Sequence, residues 1–207
     1  MIKVEIKRAT QNDIENAASV HSVSAINSYS KLCDEEFLEA IFGYEKLKKN
    51  WEDYLVLASG SKSGMYPILA MNKGKVIGIM RCNVASSEEK QMFKLGGVDI
   101  SDANVSQIFN VKNIYVDSRF QRCGVGTELM RTAVECAAQE GCKELMTLTL
   151  KGYKTSPEFF ATVGEAKKWF SIEHDAGSMY KHGSGKKAIS VGWKMSLDSV
   201  LQYKGRE

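Results

Sequence analysis

Ile114-Tyr-Val-Asp117, Ser118-Arg-Phe-Gln-Arg-Cys-Gly-Val-Gly126 and the apolar-periodic run from Thr127 to Gly141 decide how this chain is read. The first piece is a short apolar strand and the second a tight loop holding Gly124 and Gly126. The third carries Leu129, Met130, Ala133, Val134 and Ala137 at helical spacing and stops at Gly141. A strand, a glycine loop and a helix start together make an anion site. Successive backbone N–H groups converge there, and the helix terminus adds about half a positive charge. The ligand such a loop suits carries phosphate.

Spacing separates the loops that do this. A P-loop needs G-x-x-x-x-G-K-[S/T], and neither the lysine nor the spacing is present. A dinucleotide fingerprint needs a third glycine where Leu129 stands, and an acid at the far end of the next strand. Glu144 instead precedes Leu145 to Leu150. Gln121-Arg-Cys-Gly-Val-Gly126 matches the Q/R-x-x-G-x-G/A loop of the GNAT superfamily of N-acetyltransferases, and Ile114-Tyr-Val-Asp117 resembles the fourth strand of that superfamily.

The order of elements extends the resemblance along the chain. Ile2 to Lys7 alternates apolar and charged residues as a half-buried strand does. Thr10-x-x-Asp13 approximates a capping box before a helix to about Tyr29, with Ile14, Ala17, Ala18, His21 and Ala25 on its apolar stripe. Further helices start at Asp34-Glu-Glu36 and carry Tyr44, Leu47, Trp51 and Leu55. Tyr66 to Met71 and Val76 to Arg81 form a hairpin around Asn72-Lys-Gly-Lys75. Asn83 to Asn104 reads as a polar, weakly patterned excursion, and Val105 to Val116 as the next strand. After Leu145 to Leu150, Ser156-Pro-Glu158 supplies an N-cap, a first-turn proline and a first-turn acid. Trp169 to Ile172 and Ala188 to Met195 close the chain as strands, with Lys181 to Lys187 at a hairpin tip. The expected fold is α/β (α+β), a mixed, mostly antiparallel sheet of about seven strands flanked by helices, in one domain over residues 1–207.

Bulk properties narrow the function. Lys and Arg number 28 against 25 Asp and Glu, a net charge of +3 and no signature of a nucleic-acid binder. The apolar runs are too short to span a membrane, and Met1 to Asp13 lacks the apolar core of a signal peptide, so a cytoplasmic protein is expected. Five cysteines without a C-x-x-C pair and three scattered histidines argue against a disulfide framework and a zinc site. A homodimer is an allowed arrangement.

The resemblance implies acetyl-CoA as cosubstrate and a primary amine of a small molecule as acceptor. A protein lysine or N-terminal amine is the rival acceptor, and a CoA-binding sensor without turnover the rival function. By motif position, the pyrophosphate donors are Gln121, Arg122, Cys123, Gly124, Val125, Gly126 and Thr127. The pantetheine arm lies beside Tyr115 and Val116, where the fourth strand splays from the fifth. The superfamily's F-Y-x-x-x-G motif reads here Phe159-Phe-Ala-Thr-Val-Gly164, so Phe160 replaces the tyrosine that protonates the departing thiolate. Tyr153 and Tyr115 are the remaining catalytic phenols, and His21 and Tyr29 the acceptor-pocket candidates. Either Tyr153 supplies the proton, or the departing thiolate, whose thiol titrates near 8.5, needs no acid. Because Tyr153 precedes the short helix, Tyr153→Phe is expected to change kcat only slightly; a fall within the roughly 10²–10⁴-fold range of a lost general acid, with folding intact, makes Tyr153 the acid.

Overall fold

The computed structural model describes residues 2–60, 64–152, 155–175 and 187–203. The chain forms β1 (Glu5–Arg8), α1 (Ile14–Tyr29), α2 (Glu35–Phe42), α3 (Tyr44–Ala58), β2 (Met65–Asn72) and β3 (Lys75–Val84). Then come α4 (Ser87–Leu95), α5 (Asp102–Val105), β4 (Ile108–Val116), α6 (Val125–Gln139) and β5 (Glu144–Leu150). It ends with α7 (Thr155–Gly164), β6 (Lys167–Asp175), β7 (Lys187–Ser196) and α8 (Leu197–Gln202). The strands make one seven-stranded sheet in the order β1-β2-β3-β4-β5-β7-β6. Every pairing is antiparallel except β4 with β5.

Local chemistry explains several elements. Lys73 and Gly74 both have positive φ, 47° and 75°, as a two-residue type I′ turn requires, and Asn72 pairs with Lys75 across it. The Thr10 amide and hydroxyl donate to the Asp13 carboxylate at 2.9 and 2.8 Å, the box read in the sequence, while Lys7 pairs with the same group at 2.7 Å. On one sheet face α6 buries Val125, Leu129, Met130, Ala133 and Ala137 against Ile77, Phe109 and Val111. On the other, α1 and α3 close over Leu69, Met71 and Ile79 around a fully buried Trp51. Farther along that second face, Phe93 and Val105 pack on Ile108, Met146 and Phe170.

Several expectations require correction. The span from Asn83 to Asn104 is not an irregular excursion, for it contains α4 and α5, and the next strand begins at Ile108 rather than Val105. Helix α7 starts at Thr155, which puts Pro157 third in the helix instead of first. Strand β1 is Glu5–Arg8, the stretch that finds partners on β2 from Ile68 to Met71. The final strand β7 inserts between β5 and β6, and α8 follows it, capped where Ser196 Oγ accepts from the Ser199 amide at 3.1 Å. Most of the Lys181 to Lys187 tip lies outside the described residues.

Helix α4 is held by a buried charge. Glu89, 5% exposed, accepts from the Ser86 amide at 2.9 Å and the Ser86 hydroxyl, and from Asn110 Nδ2 and Lys112 Nζ, both at 3.1 Å. Burial alone raises a carboxyl pKa; the Ser86 bonds and then Lys112 outweigh it and hold this one at about 2, against an ordinary 4.5. The unfolded chain therefore binds the proton more tightly. The contribution, up to about 3 kcal/mol, is complete above pH 4.5 and lost as pH falls from 4.5 toward 2. Glu89→Gln should lower the melting temperature at pH 7, and the gap to wild type should close across that acid window. A gap independent of pH contradicts the assignment.

Candidate active site

Strand β4 breaks its own alternation. It pairs with β3 as Arg81↔Asn113 and then Cys82↔Val111, leaving Lys112 as an extra, bulged residue. Phe109 and Val111 face the α6 core before the bulge; Ile114 and Val116 face it after, three residues on instead of two. Pairing with β5 stops at the same place. The parallel ladder runs from Ile108↔Glu144 to Val111↔Thr147, while β4 continues to Val116 and β5 to Leu150. A gap thus opens between the two strands, with Thr147 Oγ1 donating to the Val111 carbonyl at 2.9 Å where it begins.

Which backbone groups line the gap follows from period two. The Asp117 amide donates to the Ile77 carbonyl at 2.9 Å, so the Tyr115 amide also turns toward β3, where Tyr115 pairs with Ile79. The amides of Ile114 and Val116 turn the other way, into the gap. Tyr115, expected beside the pantetheine arm, thus turns its amide away from the gap, and its side chain packs with α1 and α3.

The glycine loop leads from the end of β4 to α6. Asp117 accepts from the Arg119 amide at 3.0 Å and pairs with its guanidinium at 2.6 Å, and Gln121 Nε2 donates to the Val116 carbonyl at 3.2 Å. Arg122 has φ 61° and Gly124 φ 86°, the left-handed region that favours glycine. Gly124 is the N-cap, no side chain caps the helix, and its first intrahelical bond runs from the Glu128 amide to the Gly124 carbonyl at 3.0 Å. The amides of Gly124, Val125, Gly126 and Thr127 are left as helix-start donors at the dipole's positive end. Gln121, Arg122 and Cys123 are exposed beside them.

The remaining candidates fall on different sites. His21 is 1% exposed, its ring 4.9 Å from Tyr115 and 6.5 Å from Trp51, and burial, then Arg81, pushes its pKa well below 6.5. Tyr29 lies eight residues farther along α1, about 12 Å by helical rise, and stacks on Phe42 at 5.5 Å. The structure does not bring His21 and Tyr29 together. Phe160 is 2% exposed and packs in the α6 core, its ring 5.3 Å from Phe159. Tyr153 lies outside the described residues. Among the described residues there is no group of three His, Cys, Asp or Glu arranged to hold a metal.

Sequence reasoning missed the polar floor of the second sheet face. Between α4 and the strands β4 and β5 lies an open pocket of about 360 Å³ lined by Glu88, Glu89, Met92, Asn110, Lys112, Asn113 and Leu148. Asn110, Lys112 and Asn113 flank Val111, where β4 leaves β5. The Ser86-x-x-Glu89 pattern, a capping-box spacing that went unread, is the local signal that could have found this region.

The fold and this loop agree with what comparison shows. The Acetyltransferase (GNAT) family model matches residues 27–164, two thirds of the 207-residue chain, and the chain belongs to that family. It is an N-acetyltransferase, and the cosubstrate of its class is acetyl-CoA. Solved structures share the fold at low identity. The PaiA N-acetyltransferase of Thermoplasma acidophilum, in complex with coenzyme A, superposes with a TM-score of 0.68 at 15% identity, covering 94% of this chain and 99% of that one. A ribosomal-protein-alanine N-acetyltransferase from Brucella melitensis gives 0.64 at 15%, covering 93% and 99%. An N-acetyltransferase from Staphylococcus aureus gives 0.63 at 12%, covering 94% and 99%. No curated protein matches the chain in sequence. No helix among the described residues is long and apolar enough to cross a membrane.

Cysteine reactivity reports on the loop. Cys123 is exposed, whereas Cys82, Cys136 and Cys142 are buried; burial raises the Cys82 thiol well above 9.0 and the other two to about 11. In the folded protein an alkylating reagent should modify Cys123 first and these three only on unfolding, as read by peptide mass mapping. Equal rates for Cys123 and Cys142 contradict the loop geometry.

Proposed function

We propose that the protein transfers the acetyl group of acetyl-CoA to a primary amine of a small molecule by direct attack. The observation that carries this reading is the juxtaposition of the open β4 edge with the uncapped start of α6. One offers strand amides to an extended amide-bearing arm, the other a cluster of N–H donors to a pyrophosphate. The fit is chemical. Pantetheine carries two amides that can replace the missing β5 partners, and the loop donors from Gln121 to Thr127 present no side-chain anion of their own.

The chain's residues then have distinct tasks. The Gly124 to Thr127 amides hold the diphosphate, and Arg122 and Cys123 border it. In the gap, the Val116 amide donates to the thioester carbonyl oxygen as charge develops there. Freeing an amine of pKa near 10.4 at pH 7 costs about 4–5 kcal/mol, and a site screened by the Tyr115 side chain and α1 favours the neutral amine. His21 stays neutral and shapes that wall through its contact with Tyr115. Phe160 has no proton to give, and the departing thiolate leaves as such.

A small acceptor is supported by the shape of the second face. Helix α4 walls one side of the pocket, β4 and Leu148 of β5 form its floor, and about 360 Å³ is the volume of a small-molecule site. A protein acceptor needs an open trench, and α4 stands along one side of this pocket.

Acetyl-CoA at 100 times its dissociation constant should add about 2.7 kcal/mol of stability, visible as a thermal shift, and should slow alkylation of Cys123. A Cβ on Gly126 meets the Phe159 ring at 3.1 Å. Gly126→Val should therefore lower the apo melting temperature modestly and abolish most of the shift measured from that lower baseline. An unchanged shift would make the loop a structural turn only. Acetylation of small primary amines, followed as free CoA, tests the acceptor class; acetylation of peptides alone would overturn it.

A further inference from the structure

Arg81 is a guanidinium without an acid. It stands on β3 opposite Asn113, half-buried, with its central carbon 5.5 Å from the Trp51 ring and 5.3 Å from the Tyr54 ring. Nε and Nη2 both donate to Asn113 Oδ1, at 2.9 and 2.6 Å, and Nη1 reaches the Asn50 carbonyl at 3.5 Å. Five N–H groups make three bonds, and two of those share one oxygen. The Nε–Nη2 edge is occupied. The Nη1–Nη2 edge, the fork that grips a carboxylate in two parallel bonds, retains donors with no protein acceptor among the described residues. No described Asp or Glu forms an ion pair with Arg81, whereas Arg119 pairs with Asp117 and Arg131 with Glu128.

The surroundings hold further unpartnered polar atoms. Among the described residues Trp51 Nε1 is buried without an acceptor, and the ring nitrogens of His21, one a donor and one an acceptor in the neutral ring, have no partner. Both rings lie against the Arg81 and Tyr115 group on one sheet face. A partly desolvated cation costs free energy unless an anion completes it, so a site left in this form is one shaped for an anion. Its location is also specific. Asn113, which holds Arg81, lines the pocket and directly follows the bulge at Lys112 that opens the gap.

We infer that Arg81 binds a carboxylate of the acceptor, so that the molecules acetylated are amines that also carry a carboxylate, amino acids in the broad sense. This rests on the proposed amine acetylation in the gap. Lys112 does not compete for the role because Glu89 already neutralises it at 3.1 Å. From Asn113 to Val116 the strand rises about 10 Å, so an acceptor held at Arg81 can extend its amine along β4 toward the amide that faces the thioester.

The test uses the full chain with acetyl-CoA and pairs of amines that differ only in the carboxylate: lysine with cadaverine, phenylalanine with phenethylamine, 4-aminobutyrate with propylamine. In at least one pair the carboxylated member should be preferred about 100-fold or more in kcat/KM. Arg81→Gln should bring that pair to within a few-fold of each other, and Arg81→Lys, which keeps the charge but not the fork, should fall between. The acetyl-CoA thermal shift of each variant verifies folding, and Arg81→Lys alone carries the comparison if Arg81→Gln does not fold. A carboxyl-free amine preferred in every pair, or a preference that survives substitution of Arg81, overturns the inference. Without turnover of any amine, calorimetric titration of the carboxylated members into CoA-loaded protein decides it. Binding abolished by Arg81→Gln upholds the carboxylate site and counts against amine acetylation, and absence of binding overturns the site.

Discussion

A single inserted residue on β4 sets the geometry on which the site depends. With Lys112 bulged, Asn113 and Tyr115 turn to one sheet face and Ile114 and Val116 to the other, while the strand swings away from β5. Without the bulge the parallel ladder would continue past Thr147 and consume the amides that now face the gap. The loss of several ladder bonds is a local cost that the rest of the sheet offsets. Strand β3 stays paired with β4 on the far side, and α6 and the α1–α3 layer clamp both faces. The opening thus displays unpaired backbone held by packed elements on both faces.

The same bulge links two ends of the molecule chemically. Lys112 reaches across to Glu89 and so ties β4 to α4, while Asn113 reaches back to Arg81 and so ties β4 to β3 and the aromatic wall of α3. Lys112 and Arg81 therefore differ: among the described residues one charge is satisfied by a protein carboxylate and the other is not. That asymmetry separates a structural ion pair from a group available to a ligand, although both are basic residues on the same face.

What the sequence disclosed was whatever depends on neighbours in the chain. Thr10 and Asp13, the Lys73-Gly74 turn and the glycine loop after Asp117 each act within a few residues, and each is where the pattern placed it. The belonging to a known family was legible for the same reason, through the spacing of Gln121, Gly124 and Gly126. Helix α4 was legible in principle through Ser86 and Glu89, but its polar sequence hid a charge that is buried only because Asn110 and Lys112, about twenty residues on, come to meet it. The bulge was not legible. Ile108 to Val116 reads as a plain strand, and the extra residue shows only in the register with β3. Arg81 likewise looked like the polar end of an apolar run, since its meaning comes from the absence of an acid across space.

Strand β7 lies between β5 and β6, although it follows both in the chain. The central edge of β5 therefore waits for the last strand to be made. During synthesis, a chain that has reached β6 holds five strands in order and a sixth with nowhere to pair, and β5 presents Leu145 to Leu150 as an open template. Sheet completion and the docking of α8 against α6 must then wait until β7 and α8 have been made. The sheet is closed by a strand made after both its neighbours, and the newly made chain is most exposed to mispairing in the interval between the making of β6 and of β7.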